Sequence, residues 1–210
     1  MIVANRLTPL SQQDASRALA EAYARVTGGP PTDRVLALLL GQTAFETARW
    51  QKIHNFNFGN AKADLSYPLI TQFRCSEVEQ GVEQFFDPTD PHCNFRAYTN
   101  AADGAVDYIK VLHSRPHWWN GLQTEDPNAF VDALATAPKY FTGNPVVYKQ
   151  AMVSLFDEFR PLVPAAARGR RSASLPSRQQ SLSERSVARA AASPAPAGCQ
   201  PSEGLLRRAA

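Results

Sequence analysis

Glu46 is the residue of this sequence best placed for proton chemistry. It closes a stretch that is apolar nearly all round, Val35 to Phe45, and precedes a loop crowded with aromatic and amide side chains, Trp50-Gln-Lys-Ile-His54-Asn-Phe-Asn57-Phe58-Gly59-Asn60. A carboxyl at the end of a buried helix loses hydration, which raises its pKa toward the value a general acid needs near neutrality. Gln42 lies one helical turn earlier on the same face. Aromatic rings stack on the C–H faces of pyranoses, and Asn and Gln amides both donate and accept, so the loop suits a sugar. The same aromatics also read as core anchors, and that reading holds for some of Trp50, Phe56 and Phe58.

Positioning such a site takes helices, and the sequence carries their signals. Ser11 and Asp14 ahead of Ala18, Leu19, Ala22, Tyr23 and Val26 predict a capped amphipathic helix that stops at Gly28-Gly29. Pro30-Pro31-Thr32-Asp33 opens a second helix, Val35 to about Thr47, whose all-round apolarity makes it the central buried element. Residues 65–98, punctuated by Gly81, Asp87-Pro88 and Asp90-Pro91, predict a β-hairpin lobe. Helices resume at Ala101 to His113, Pro127 to Leu134 and Pro145 to Phe159, the last with Val147, Ala151, Leu155 and Phe159 at four-residue spacing. The expected class is mainly α, a helical domain over residues 1–163 with one small hairpin lobe.

Composition bounds the rest. The 210 residues are 44% hydrophobic and 20% charged, enough for one domain with a core and for a tail. The longest apolar run, Val35 to Leu40, is six residues, against the roughly 20 of a bilayer crossing. Met1-Ile-Val-Ala-Asn-Arg-Leu-Thr-Pro9 lacks the charged and apolar regions of a secretory signal, so the chain is expected to be made without one. Residues 1–163 hold 14 Lys and Arg against 17 Asp and Glu, while residues 164–210 hold 8 against 2. That second stretch, rich in Ala, Ser, Pro and Arg and without an aromatic, reads as a disordered basic tail. The net-negative remainder gives no basic face, so no nucleic-acid partner is expected, and the tail is either an arm for an anionic surface or a solvated extension. Cys75, Cys93 and Cys199 show no Cys-x-x-Cys spacing and Pro116 interrupts the His113 and His117 pair, so neither metal nor other cofactor is expected. Cys75 and Cys93 read equally as a bridge or as two thiols. Nucleophile-elbow, phosphate-loop and HExxH motifs are absent.

Four ordered segments carry a resemblance. Gly41-Gln-Thr-Ala-Phe-Glu46-Thr-Ala-Arg-Trp50 with Asn55-Phe-Asn-Phe-Gly-Asn60 resembles the signature of bacterial endo-β-N-acetylglucosaminidases of glycoside hydrolase family 73, whose acid closes an Ala-Leu-Glu-Ser-Gly-type helix end. Cys75-Ser-Glu-Val-Glu-Gln-Gly81 is similar to the hairpin strand of the flagellum-associated members, Phe95-Arg-Ala-Tyr-Thr99 to the segment before their next helix, and Tyr140 to Tyr148 to their Tyr-Ala-Thr-Asp-Pro-x-Tyr. The resemblance covers roughly residues 30–160. It departs from the pattern at Ala48 and Arg49, where the family has Gly and Trp, at Lys62, one residue late, and in the two extra residues between Tyr140 and Tyr148.

The resemblance implies a lysozyme-like fold and a peptidoglycan hydrolase cleaving the β-1,4 bond after N-acetylglucosamine. Glu46 falls on the general acid, Glu77 on the hairpin glutamate that serves as base, and Tyr140 on the tyrosine beside the reacting sugar. Glu79 or Glu83 takes the part of Glu77 if the hairpin register differs. Trp50, Asn57, Phe58 and Gly59 fall on the groove wall, with Gln42 and His54 as further sugar contacts. Attack comes either from water held by the hairpin carboxylate or from the substrate's own acetamido oxygen. The rival readings are a muramidase or lytic transglycosylase and a non-catalytic wall-binding module. A monomer is expected, acting on the cell wall, in the periplasm or outside the cell, after lysis or injection.

Overall fold

The structure is a computed structural model that describes residues 1–79, 82–137, 140–141 and 143–162, without the side chains of residues 78 and 79. The chain divides into two units, Met1–Ala173 and Ser174–Ala210. The tail expected over residues 164–210, Cys199 included, lies outside the described residues.

The described elements run β1 (Ile2–Val3), α1 (Gln12–Thr27), α2 (Asp33–Glu46), β2 (Ile70–Gln72), β3 (Cys75–Glu79), β4 (Val82–Phe86), β5 (Asn94–Arg96), α3 (Ala101–His113), α4 (Pro116–Gln123), α5 (Pro127–Ala135) and α6 (Pro145–Phe159). Helix starts follow local chemistry. Ser11, Thr32, Asn100, Asp126 and Asn144 each accept a backbone N–H of the first turn, satisfying a donor that has no helical partner. Gly28, at φ 85°, ends α1 in the left-handed conformation that glycine adopts without a Cβ clash.

Helix α2 is the axis of the core. Val35 through Ala44 are all buried, and α2 packs on α6 through Met152, Leu155 and Phe156, while α1 packs on α3. A helix sunk on every side has no polar face to spare, so its last residue, Glu46, is delivered to the edge of the core with apolar neighbours.

Two small sheets flank the helices. β3 and β4 form the expected hairpin in antiparallel register, with Glu77 opposite Gln84. The second sheet orders β1-β2-β5, with β1 parallel to β2 and β5 antiparallel to it. That sheet goes beyond the single hairpin lobe read from sequence, because two- and three-residue strands are too short to show an alternating pattern. Helix α4 is likewise additional: Pro116 stops α3 from continuing, as expected, but then serves as the first residue of a new helix. No helix among the described residues is long and apolar enough to cross a membrane.

Directly after α2 the chain makes a left-handed turn. Ala48, Arg49 and Trp50 have φ of 48°, 57° and 60°. Three consecutive non-glycine residues in this region carry strain, on the order of 1 kcal/mol each. The turn is held by Thr47, which accepts the Trp50 N–H at 3.1 Å, and by Trp50, whose indole donates to Thr43 Oγ1 at 3.1 Å. Exposed Ala48 is the position where the family pattern has Gly. Ala48→Gly is therefore expected to raise stability by roughly 0.5–1 kcal/mol, a few degrees of melting temperature. An unchanged or lower melting temperature would refute strain at this turn.

Candidate active site

Glu46, partly exposed, opens onto a groove of about 990 Å³ between the end of α2, the 59–62 loop, the β3 hairpin edge and the start of α6. Glu77 and Tyr140 line the same groove, as does Gly59. Burial by its neighbours pushes the Glu46 carboxyl up to about 7, opposed by hydrogen bonds from Tyr148 and Asn60. Tyr148 donates its hydroxyl to Glu46 Oε1 at 2.8 Å, and Asn60 Nδ2 donates to the Glu46 carbonyl at 2.6 Å. Such a group is half protonated near neutral pH, which suits proton donation to a leaving oxygen.

Tyrosines surround this carboxyl. Burial, with the nearby Glu46 charge second, holds the hydroxyls of Tyr108, Tyr140 and Tyr148 well above the usual tyrosine range, so all three stay protonated. Tyr140 donates to the Gly59 carbonyl at 2.8 Å. A Cβ on Gly59 would overlap that hydroxyl and crowd the Tyr108 ring, so only glycine lets the loop pass here. Tyr148 itself is fixed by stacking on Phe141, with ring centroids 4.1 Å apart, and edge-on to Phe45 at 4.7 Å. Tyr148→Phe keeps those ring contacts and removes the hydrogen bond that favours ionised Glu46. The pKa of Glu46 is then expected to rise, and the high-pH limb of the kcat profile to move to higher pH. A limb that stays or moves down would break the link between Tyr148 and the acid.

Also in the groove lining, Glu77 sits on β3 with its Oε1 2.8 Å from Lys62 Nζ. Lys62 also donates to the His92 carbonyl at 2.5 Å and lies 4.0 Å over the Phe95 ring. Its late position relative to the family lysine thus still delivers an ammonium to the hairpin carboxylate. Glu83 is exposed on β4 and accepts from Ser76 Oγ at 2.8 Å, and it is not among the groove-lining residues, unlike Glu77. Cys75 and Cys93 are free, with sulfurs 3.8 Å apart, Cys75 in the groove lining and Cys93 buried.

Most of the expected sugar contacts are elsewhere. Trp50 and Phe58 are fully buried in the core, Trp50 against Phe159, and do not face the groove. Gln42 is also fully buried: the Tyr108 hydroxyl donates to its Oε1, and its Nε2 has no partner among the described residues. Asn57 is a scaffold, donating to the carbonyls of Ala61 and Arg96 at 3.0 Å each and accepting the Ala61 N–H. His54 stacks on Phe73 and meets Asn5 at 2.6 Å, supporting the groove wall from behind, and burial lowers its pKa. Hydrophobic residues next to a catalytic-looking motif more often build its platform than its surface, since the platform must be rigid. The groove wall instead uses Phe73, Phe95, Trp118, Phe141 and Val147. Tyr148 had a signal in the sequence, as the last residue of the Tyr140 to Tyr148 segment. Tyr108 and Trp118 had none beyond helical periodicity. No cluster of His, Cys, Asp and Glu able to hold a metal occurs among the described residues.

No family model matches the chain. Over 147 residues, 63% of the chain, it is 29% identical to the peptidoglycan hydrolase FlgJ of Vibrio parahaemolyticus. Over that stretch the chain is a homologue of a peptidoglycan hydrolase. The match spans 44% of that relative, less than half its length. Among solved structures, a mutant peptidoglycan hydrolase of Sphingomonas sp. A1 superposes with a TM-score of 0.56 at 19% identity, over 73% of this chain and 99% of that one. The catalytic domain of the autolysin Auto of Listeria monocytogenes gives a TM-score of 0.50 at 14% identity, over 76% and 89%. At those identities the likeness is one of fold. The shared fold is the mainly helical arrangement with a small β lobe expected from the sequence, and Glu46 lines its groove.

Proposed function

We propose that this chain cleaves the glycan strand of peptidoglycan at the β-1,4 bond after N-acetylglucosamine, with Glu46 as general acid and Glu77 as the base that holds water. The observation that carries the reading is the Glu46 carboxyl itself, half-protonated near pH 7 in the lining of a groove of about 990 Å³. Glu46 gives its proton to the leaving glycosidic oxygen as positive charge develops on the anomeric carbon. Water then adds to that carbon and passes a proton to Glu77. Tyr148 keeps the Glu46 oxygen oriented, and Lys62 holds the Glu77 carboxylate in place in the groove lining.

Homology to a peptidoglycan hydrolase supports the substrate, and a second acidic residue in the groove supports hydrolysis over transglycosylation. Mass spectrometry of muropeptides released from purified sacculi tests the reading. Reducing N-acetylglucosamine ends are the expected result. Reducing muramic acid ends would make the chain a muramidase, anhydro ends a lytic transglycosylase, and no products a binding module.

A further inference from the structure

Residues 1–163 carry three more acidic than basic side chains, yet the groove collects cations. Lys62, Arg74 and Arg96 all line it, against Glu77 and the half-protonated Glu46.

Arg96 is the best prepared of the three. Its Nε donates to the Lys62 carbonyl at 3.1 Å, its Nη1 meets Asp107 Oδ2 at 2.7 Å, and its guanidinium lies 4.7 Å over the Tyr67 ring. Asp107 is in turn fixed by the Tyr98 hydroxyl at 2.5 Å, and Tyr67 donates to Tyr98 at 3.3 Å. The remaining nitrogen, Nη2, has no hydrogen-bond partner among the described residues, and a guanidinium always keeps its charge. A planar cation immobilised on one side, at a groove wall, is preorganised to take a carboxylate on the other. Arg74, two-thirds exposed and only loosely paired to Asp87 at 3.4 Å, adds a second positive charge along the same wall.

Resting on the substrate reading above, we propose that the Arg96 and Arg74 wall of the groove binds a carboxylate of the muramyl unit, so that the protein selects glycan by its acidic substituents as well as its sugars. The carboxylates available there are those of the stem peptide or, on glycan stripped of peptide, the lactyl group of muramic acid. Lys62 takes a smaller part, because its ammonium is already shared between Glu77 and the His92 carbonyl.

Calorimetric binding in a Glu46→Gln background, which keeps the groove and removes turnover, tests this. The ligands are peptide-bearing glycan fragments, the same glycan stripped of peptide, and a chitin-type oligosaccharide of equal length without carboxylates. The charged ligands are expected to bind more tightly than the chitin-type one, and added Arg96→Gln to shrink that preference roughly tenfold, the size of a lost charge-assisted hydrogen bond at a partly exposed site. Arg96→Lys should retain part of the preference, and Arg74→Gln, at a two-thirds exposed position, should shrink it by a lesser factor. The stem peptide is the source if only the peptide-bearing ligand responds, and the lactyl group if the stripped glycan responds alike. Equal binding of all three ligands, or a preference that survives Arg96→Gln, overturns the proposal. Failure of the wild-type protein to cut any glycan would sink the enzymatic reading while leaving these affinities to decide this one.

Discussion

Glu46→Gln is expected to reduce release of reducing ends from sacculi by at least 10²–10⁴-fold, the range of a general acid's contribution, with the fold retained. Gln occupies the same volume, still accepts from the Tyr148 hydroxyl, and still leaves its backbone carbonyl to Asn60. What it lacks is the proton. The loss should fall on kcat, because the missing interaction forms only as the leaving oxygen gathers charge. Wild-type turnover should itself decline as pH rises through about 7, where Glu46 releases its proton. Near-wild-type clearance by a folded Glu46→Gln protein would remove Glu46 from the mechanism.

The same variant reports on stability with the opposite sign. Glu46 titrates at about 7 in the folded chain against 4.5 as an ordinary glutamate. Below pH 4.5 both states hold the proton. Between 4.5 and about 7 the folded state keeps it while the unfolded chain releases it, so stability falls across that window and is flat above it. At about 1.4 kcal/mol per pKa unit, the full window costs at most about 3 kcal/mol. Glu46→Gln abolishes this slope, so the inactive protein should melt higher than wild type at pH 8 and alike at pH 4. Parallel melting curves across that range would show a well-hydrated Glu46. A site that is strained for function and relaxed by the mutation that kills function is a familiar trade.

How the sequence led to this site depended on what each residue answers to. Helices α1, α2, α3, α5 and α6 were legible because capping and apolar spacing are local, and α2 pointed to Glu46 because an apolar stretch that ends in a carboxyl is a conflict between neighbours in sequence. Glu77 and Tyr140 were reached through the family resemblance, and both line the groove with Glu46. Trp50 and Phe58 fall on the groove wall by the resemblance, and Gln42 reads as a sugar contact. In the fold each turns inward, Trp50 through the left-handed turn at residues 48–50 and Gln42 because α2 has no outer face. Neither feature has a local signature. Tyr108 and Arg96 meet the site from α3 and β5, 62 and 50 residues beyond Glu46 in the chain. Only tertiary packing shows such partners.

Glu77→Gln is expected to lower kcat by about 10²–10³-fold with KM changed little, the pattern of a base that acts only as water attacks. Tyr140→Phe should cost less than tenfold. The reason lies in where each polar atom is already committed. Tyr140 has one hydroxyl proton, and it is given to the Gly59 carbonyl, so the residue shapes the 59–62 loop and has no proton free for the sugar. Glu77, by contrast, lines the groove with a carboxylate held by Lys62 from one side. Lys62→Met should therefore reproduce part of the Glu77→Gln defect by loosening that carboxylate, and do so without the loss of loop order that Tyr140→Phe brings. If turnover instead proceeds by attack of the substrate's acetamido oxygen, no protein base is needed. Glu77→Gln and Lys62→Met would then both be mild, and Tyr140→Phe, beside the sugar that must bend to attack itself, would be the damaging change. Kinetics of the three variants on one glycan, kcat and KM separated, decide between the two routes, and full activity in all three would leave the water without an activating group in this groove.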